Sequence, residues 1–141
     1  MLRYKYINHT ADLGIKIYGR TRLELFKNAG RAVFETMLIL RIRKKAGKTM
    51  KYQLSLNSES FAELLVDWLR EILYYFSVKK VLPRRYRITF QGNQKLKAWI
   101  EGVRYKTEDF RIRMEIKNVT YHNLKIRKNA RGYTATVIFD V

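Results

Sequence analysis

Cysteine is absent from the chain, which excludes a disulfide framework and any thiolate metal site. Proline occurs once and histidine twice, at His9 and His122. Acids are scarce: 12 Asp and Glu stand against 30 Lys and Arg, for a net charge of +18. No stretch approaches the roughly 18 uncharged apolar residues of a membrane span. The opening Met1-Leu2-Arg3-Tyr4-Lys5-Tyr6 lacks the apolar centre of a signal peptide. A glycine-rich phosphate cradle, a Walker A sequence and a Gly-x-Ser-x-Gly elbow are all missing. That counts against a self-sufficient nucleotidyl transferase or a serine hydrolase. These absences lead us to expect a cytoplasmic protein that makes no use of a membrane.

What is present supports one folded domain over 1–141. The chain has 141 residues and 47% of them are apolar, enough for a sizeable core. The charge favours polyanionic partners, nucleic acid first. Bases are densest at Arg41-Ile42-Arg43-Lys44-Lys45, at Lys79-Lys80, at Arg84-Arg85 and between Arg104 and Arg113. Such a spread suits RNA contact through a basic surface. It suits the solvated surface of a heat-adapted protein equally well.

Residues 2–7 and 15–18 alternate as strands, the second closed by Gly19. Thr21-Arg22-Leu23-Glu24 is a capping box opening a helix over 22–37, with Leu23, Phe26, Gly30, Val33, Phe34 and Met37 on one face. Residues 41–51 read as a basic connector around Gly47, and 52–56 as a strand. Ser60-Phe61-Ala62-Glu63 is a second box. From Phe61 to Phe76 apolar residues recur at helical spacing, placing Trp68 in the core and Asp67 and Glu71 on the solvent side, with Arg70 and Arg84 among the candidate partners. Pro83 is expected to close that segment. Strands then follow at 86–90, 96–104 with a bulge at Gly102, 112–117, 124–127 and 133–139. A turn is expected at Gly92-Asn93, a loop over 106–110, and a hairpin turn over 129–132. The order ββα, βα, then β predicts an α+β fold with two main helices packed on largely antiparallel sheet.

Two acids stand at pointed places. Asp12 lies in the polar loop Asn8-His9-Thr10-Ala11-Asp12-Leu13-Gly14, where small residues let the backbone turn tightly. Asp140 follows the apolar run Val137-Ile138-Phe139 and precedes Val141, whose α-carboxylate adds oxygen. Oxygen-only sites suit a hard divalent cation, Ca²⁺ or Mg²⁺. Asp12 also fits the simpler role of a turn former that caps its own loop. The two acids meet only if the last strand lies beside the first ones. Glu35, near the helix end where an acid is disfavoured, is a ligand candidate or the partner of a nearby Arg. His9 and His122 with Asp12 would make a zinc-like set, or simply orient neighbours through hydrogen bonds.

His9-Thr10-Ala11-Asp12-Leu13-Gly14 resembles the His-Thr-Ala-Asp-x-Gly signature of the archease family. Leu64-Leu65-Val66-Asp67-Trp68-Leu69, then Glu115-Ile116-Lys117 with Val119-Thr120-Tyr121-His122, and the closing 137–141 run resemble its other motifs, in the family's order. The resemblance implies a metal site at Asp12, Asp140 and Val141. It implies a divalent ion, Ca²⁺ first, with Mg²⁺ or Mn²⁺ as alternatives. The family tends to have an acid at the start of the second helix; Ser60 stands there, with Glu59 beside it. Lys117 is implied as a phosphate or nucleotide contact, or is a solvated strand lysine. The implied role is not that of an enzyme. It is an activator of the RtcB-type RNA ligase, which joins a 3′-phosphate or cyclic phosphate end to a 5′-hydroxyl end in tRNA splicing and RNA repair. The activator would promote guanylylation of the ligase histidine and support multiple turnover. Two other classes stay open: a stand-alone RNA-binding module that stacks bases on tyrosines, and a small metal-dependent nuclease or phosphatase.

Overall fold

The computed structural model describes residues 2–7, 12–41 and 47–141. Helix α1 (Arg22–Met37) and helix α2 (Phe61–Ser77) start where their caps lie. The Thr21 hydroxyl accepts the Glu24 N–H and the Ser60 hydroxyl accepts the Glu63 N–H, each at 3.1 Å. Each cap satisfies a donor that the first helical turn leaves without a partner. The predicted helix 22–37 is met at both ends.

A four-stranded antiparallel sheet joins β1 (Tyr4–Ile7), β2 (Leu13–Gly19), β9 (Gly132–Asp140) and β8 (Asn118–Asn129), in that order. Ile15 pairs with Val137 and Ile17 with Ala135, and all four side chains are buried. A second antiparallel sheet has the order β4 (Thr49–Asn57), β6 (Lys95–Arg104), β5 (Val81–Gln91). Its central strand buries Leu96, Ala98 and Ile100 and turns Lys95, Lys97 and Trp99 outward. Both helices contact strands of both sheets. The fold is therefore α+β with two helices and antiparallel sheets, as expected. Among the described residues no helix is long and apolar enough to cross a membrane.

Contact with two sheets widens each helix's buried stripe. On α1 the buried set includes Leu25, Ala29 and Ala32, beyond the single face expected, while Leu23 is exposed. Trp68 is wholly buried at the helix–helix junction, and its indole N–H donates to the Phe26 carbonyl at 2.9 Å.

Five expectations are corrected. The connector predicted over 41–51 gives up its ends to strands: Arg41 closes β3 (Leu38–Arg41), which pairs with β7 (Phe110–Ile112), and Thr49 to Lys51 open β4. The expected strand 112–117 is instead the end of β7 and an irregular stretch in which Arg113 donates its backbone N–H to the Met37 carbonyl at 2.7 Å. The loop expected over 106–110 holds a one-turn 3₁₀ helix, Thr107–Asp109. Pro83 does not close the helical segment; α2 ends at Ser77 and Pro83 lies inside β5. There β5 is an edge strand, where a missing N–H is tolerated. The bulge expected at Gly102 belongs to β5, between Pro83 and Arg85. Gly102 serves close approach instead: a Cβ there would lie 2.5 Å from the Leu82 carbonyl oxygen.

Candidate functional site

The antiparallel register of β2 and β9 ends with Leu13 opposite Phe139. Asp12 and Asp140 are the next residues along, Asp12 just before β2 and Asp140 closing β9. Two carboxylates 128 positions apart in sequence thus reach the same end of one sheet. Both are partly exposed. On the other side of β9, Asn118 pairs with Asp140, and the Lys117 N–H donates to the Asp140 carbonyl at 2.8 Å. Val141 follows at once and rests its side chain against the core. The glycine of the Asp12 loop has a local reason: a Cβ on Gly14 would lie 2.5 Å from Ile7 Cγ1, so β1 closes over it.

Asp140, Val141 and Lys117 are therefore neighbours, and Asp12 stands at the same sheet end. His9 lies outside the described residues. His122 is exposed on β8, its backbone N–H bonded to Thr120 Oγ1 at 3.2 Å. Among the described residues no three His, Asp or Glu side chains gather as a ligand set. The donors on offer at the sheet end are two Asp carboxylates and the oxygens of Val141. That chemistry fits a hard divalent ion and does not suit a transition metal that favours imidazole. Asn118, missed in the sequence reading, enters this row only through strand pairing.

Glu35 has partners in its own neighbourhood. Arg31 Nε is 3.4 Å from one carboxylate oxygen, and the Tyr4 hydroxyl donates to the other at 3.4 Å. Burial and the Glu35 charge push the Tyr4 pKa up to about 12. Glu59 is exposed, and its carbonyl accepts from the Gln94 side-chain amide at 3.0 Å.

A second cluster corrects the reading of Asp67 and Glu71 as solvent-face charges paired with arginine. Both are half-buried. Asp67 accepts from the Ser58 hydroxyl and from the Tyr121 hydroxyl, each at 2.5 Å. The cause is an irregularity in β8 between Thr120 and Lys125, where the register slips and Asn123 takes φ +52. Arg70 lies 4.4 Å from the Tyr121 ring centre and donates through Nε to the Val119 carbonyl at 2.8 Å. Two motifs that carried the resemblance, around Asp67 and around Tyr121, are thus one bonded unit. The Thr120 hydroxyl ties that unit to the closing strand through the Ile138 carbonyl, at 3.1 Å. The hydrogen bond to Asp67 raises the Tyr121 pKa and keeps the phenol a donor.

Glu71 titrates upward, first through burial and then through the Asp67 charge. Its folded-state pKa lies above its unfolded one, so its contribution favours folding at acid pH and is lost as pH rises through the folded value. Glu71→Gln should therefore raise the melting temperature at pH 8 by a degree or so, about the scale of a surface substitution. The gain should vanish as pH falls toward 4. Thermal melts at the two pH values check this; a lower melting temperature at pH 8 would show that Glu71 makes a stabilising contact.

Comparison with known proteins agrees over the whole length. The model of the archease protein family matches residues 4–141. The archease of Methanosarcina barkeri is 37% identical over 143 residues, covering 99% of this chain and 96% of that one. The archease of Sulfurisphaera tokodaii is 31% identical over 148 residues, covering both chains completely. The solution structure of Methanobacterium thermoautotrophicum protein 1598 superposes with a TM-score of 0.73 at 26% identity, over 99% of each chain. The chain belongs to the archease family.

Proposed function

We propose that this protein is a non-enzymatic activator of an RtcB-type RNA ligase, acting in cytoplasmic tRNA splicing and RNA repair. It promotes guanylylation of the ligase and its multiple turnover. The observation that carries the reading is the β2–β9 register, whose last pair of Leu13 with Phe139 leaves Asp12 and Asp140 at one sheet end, with Val141 adjoining, in a chain of this family. Asp12, Asp140 and Val141 would hold a divalent ion, Ca²⁺ first and Mg²⁺ or Mn²⁺ otherwise. Such an ion supplies positive charge beside phosphate oxygens. The chain's own part is to fix the two carboxylates on paired strands, so that little ordering remains for binding. The adjoining Lys117 adds a cation at the rim. The remaining basic surface aids approach to an RNA-loaded partner.

The test is multiple-turnover ligation of a 3′-phosphate RNA to a 5′-hydroxyl RNA, with the cognate ligase at trace concentration. The protein alone should join nothing, and its addition should carry the ligase past one turnover. Ligation that stops at one turnover with and without the protein would overturn the reading. Metal binding has its own readout in ligase-free protein. An ion at a hundredfold excess over its Kd stabilises by about 2.7 kcal/mol, a shift of several degrees. Ca²⁺ or Mn²⁺ should produce that shift in wild type and much less of it in Asp140→Asn. Equal shifts would place the ion elsewhere.

A further inference from the structure

The outer face of the three-stranded sheet has no role in the site above. Along β6, Lys95, Lys97, Trp99 and Glu101 alternate with buried Leu96, Ala98 and Ile100. Trp99 is 49% exposed at the centre of that face. In its cross-strand row it stands between Gln53 of β4 and Arg87 of β5. The next row is Lys51, Glu101 and Arg85, and the row on the other side is Ser55, Lys97 and Thr89. Among the described residues of this face Glu101 is the one acid, against Lys51, Lys95, Lys97, Arg85 and Arg87. The face is exposed and cationic, with one large aromatic plane at its middle.

The positive charge continues around the sheet edge. Arg85 also lines a pocket that Arg3, Lys27, Arg31 and Arg84 share. Arg31 there is the ion-pair partner of Glu35, and no acid stands among the described residues that line the pocket. A cationic track thus runs from the aromatic plane over the β5 edge.

A half-exposed tryptophan among lysines and arginines offers a stacking plane ringed by cations. The two features together match what an unpaired polynucleotide offers: base planes to stack and phosphates to neutralise. A duplex hides its base planes, and an acidic protein surface offers the charge without them. We infer that the outer face of β4, β6 and β5 binds single-stranded RNA, with a base stacked on Trp99 and phosphates held by Arg85, Arg87 and the lysines beside them. The choice of RNA rests on the proposed ligase partner; the stacking and the charge do not.

The test needs no ligase. A fluorescein-labelled 12-nucleotide single-stranded RNA is titrated with the whole protein and followed by anisotropy, with a duplex of the same sequence alongside. The single strand should bind more tightly than the duplex. Stacking on one aromatic predicts at least about fivefold weaker binding for Trp99→Ala, with Trp99→Phe close to wild type. Arg85→Gln with Arg87→Gln should lower the slope of log affinity against log salt by about 1.4, roughly 0.7 for each lost phosphate contact. Trp99→Ala should melt near wild type, since its side chain faces water. The other tryptophan, Trp68, is buried, so quenching of the exposed indole fluorescence by RNA reports Trp99 directly. Duplex binding as tight as single-strand binding, or unchanged affinity in Trp99→Ala, would overturn the platform. A protein that stimulates the ligase but binds no RNA overturns this inference alone; one that binds RNA through Trp99 but never stimulates the ligase overturns the proposed function alone.

Discussion

Trp68→Ala should destabilise the protein by about 3–5 kcal/mol, the range for truncating a large buried aromatic. The indole is wholly buried and meets Phe26 at 6.3 Å and Tyr86 at 5.3 Å between ring centres. The substitution opens a cavity where both helices and the β5 strand converge. It also leaves the Phe26 carbonyl without the indole donor. Since a domain of this size is stable by roughly 5–15 kcal/mol, the loss takes a large share of the whole. Asp12→Asn should leave a metal-free melt nearly unchanged, because Asp12 stands at a partly exposed sheet end. Urea unfolding without added metal checks the contrast. If Asp12→Asn is the more damaging change, Asp12 is a structural turn residue.

Asp12→Ala and Asp140→Ala should each abolish stimulation of the ligase while the proteins stay folded. Asp12 directly precedes β2 and Asp140 ends β9, so the two carboxylates come from separate segments and neither replaces the other. A site of few oxygen donors that loses a charged one loses most of its hold on a hard cation. The readout is the ligase's guanylylation rate at saturating activator, with circular dichroism confirming the fold. Stimulation undiminished in both variants would end the metal-positioning mechanism and leave docking alone as the activating event. The Glu71 cluster offers a control, because Glu71→Gln alters stability without touching the sheet end.

The helices were legible because their signals are local. Thr21 and Ser60 mark their starts, and apolar spacing marks their buried faces. What failed was non-local. The short β3 and β7 become strands only by pairing with each other across about 70 residues. Pro83 misled because its meaning depends on β5 being an edge. Asp67 and Tyr121 were singled out separately, but their bond depends on a slip in β8 that no spacing announces. The meeting of Asp12 and Asp140 followed from family resemblance and from the idea that the last strand lies beside the first. The register pairs their neighbours, Leu13 with Phe139. Trp99 is the opposite case: its alternation with Leu96, Ala98 and Ile100 was present in the sequence and already pointed it outward.

The most direct measurement is single-turnover labelling of the cognate ligase with radiolabelled GTP, with and without this protein. The protein should carry no label itself and should accelerate labelling of the ligase histidine, in an ion-dependent manner that Asp12→Ala removes. An unchanged labelling rate on adding wild-type protein to its own ligase would contradict the activator role.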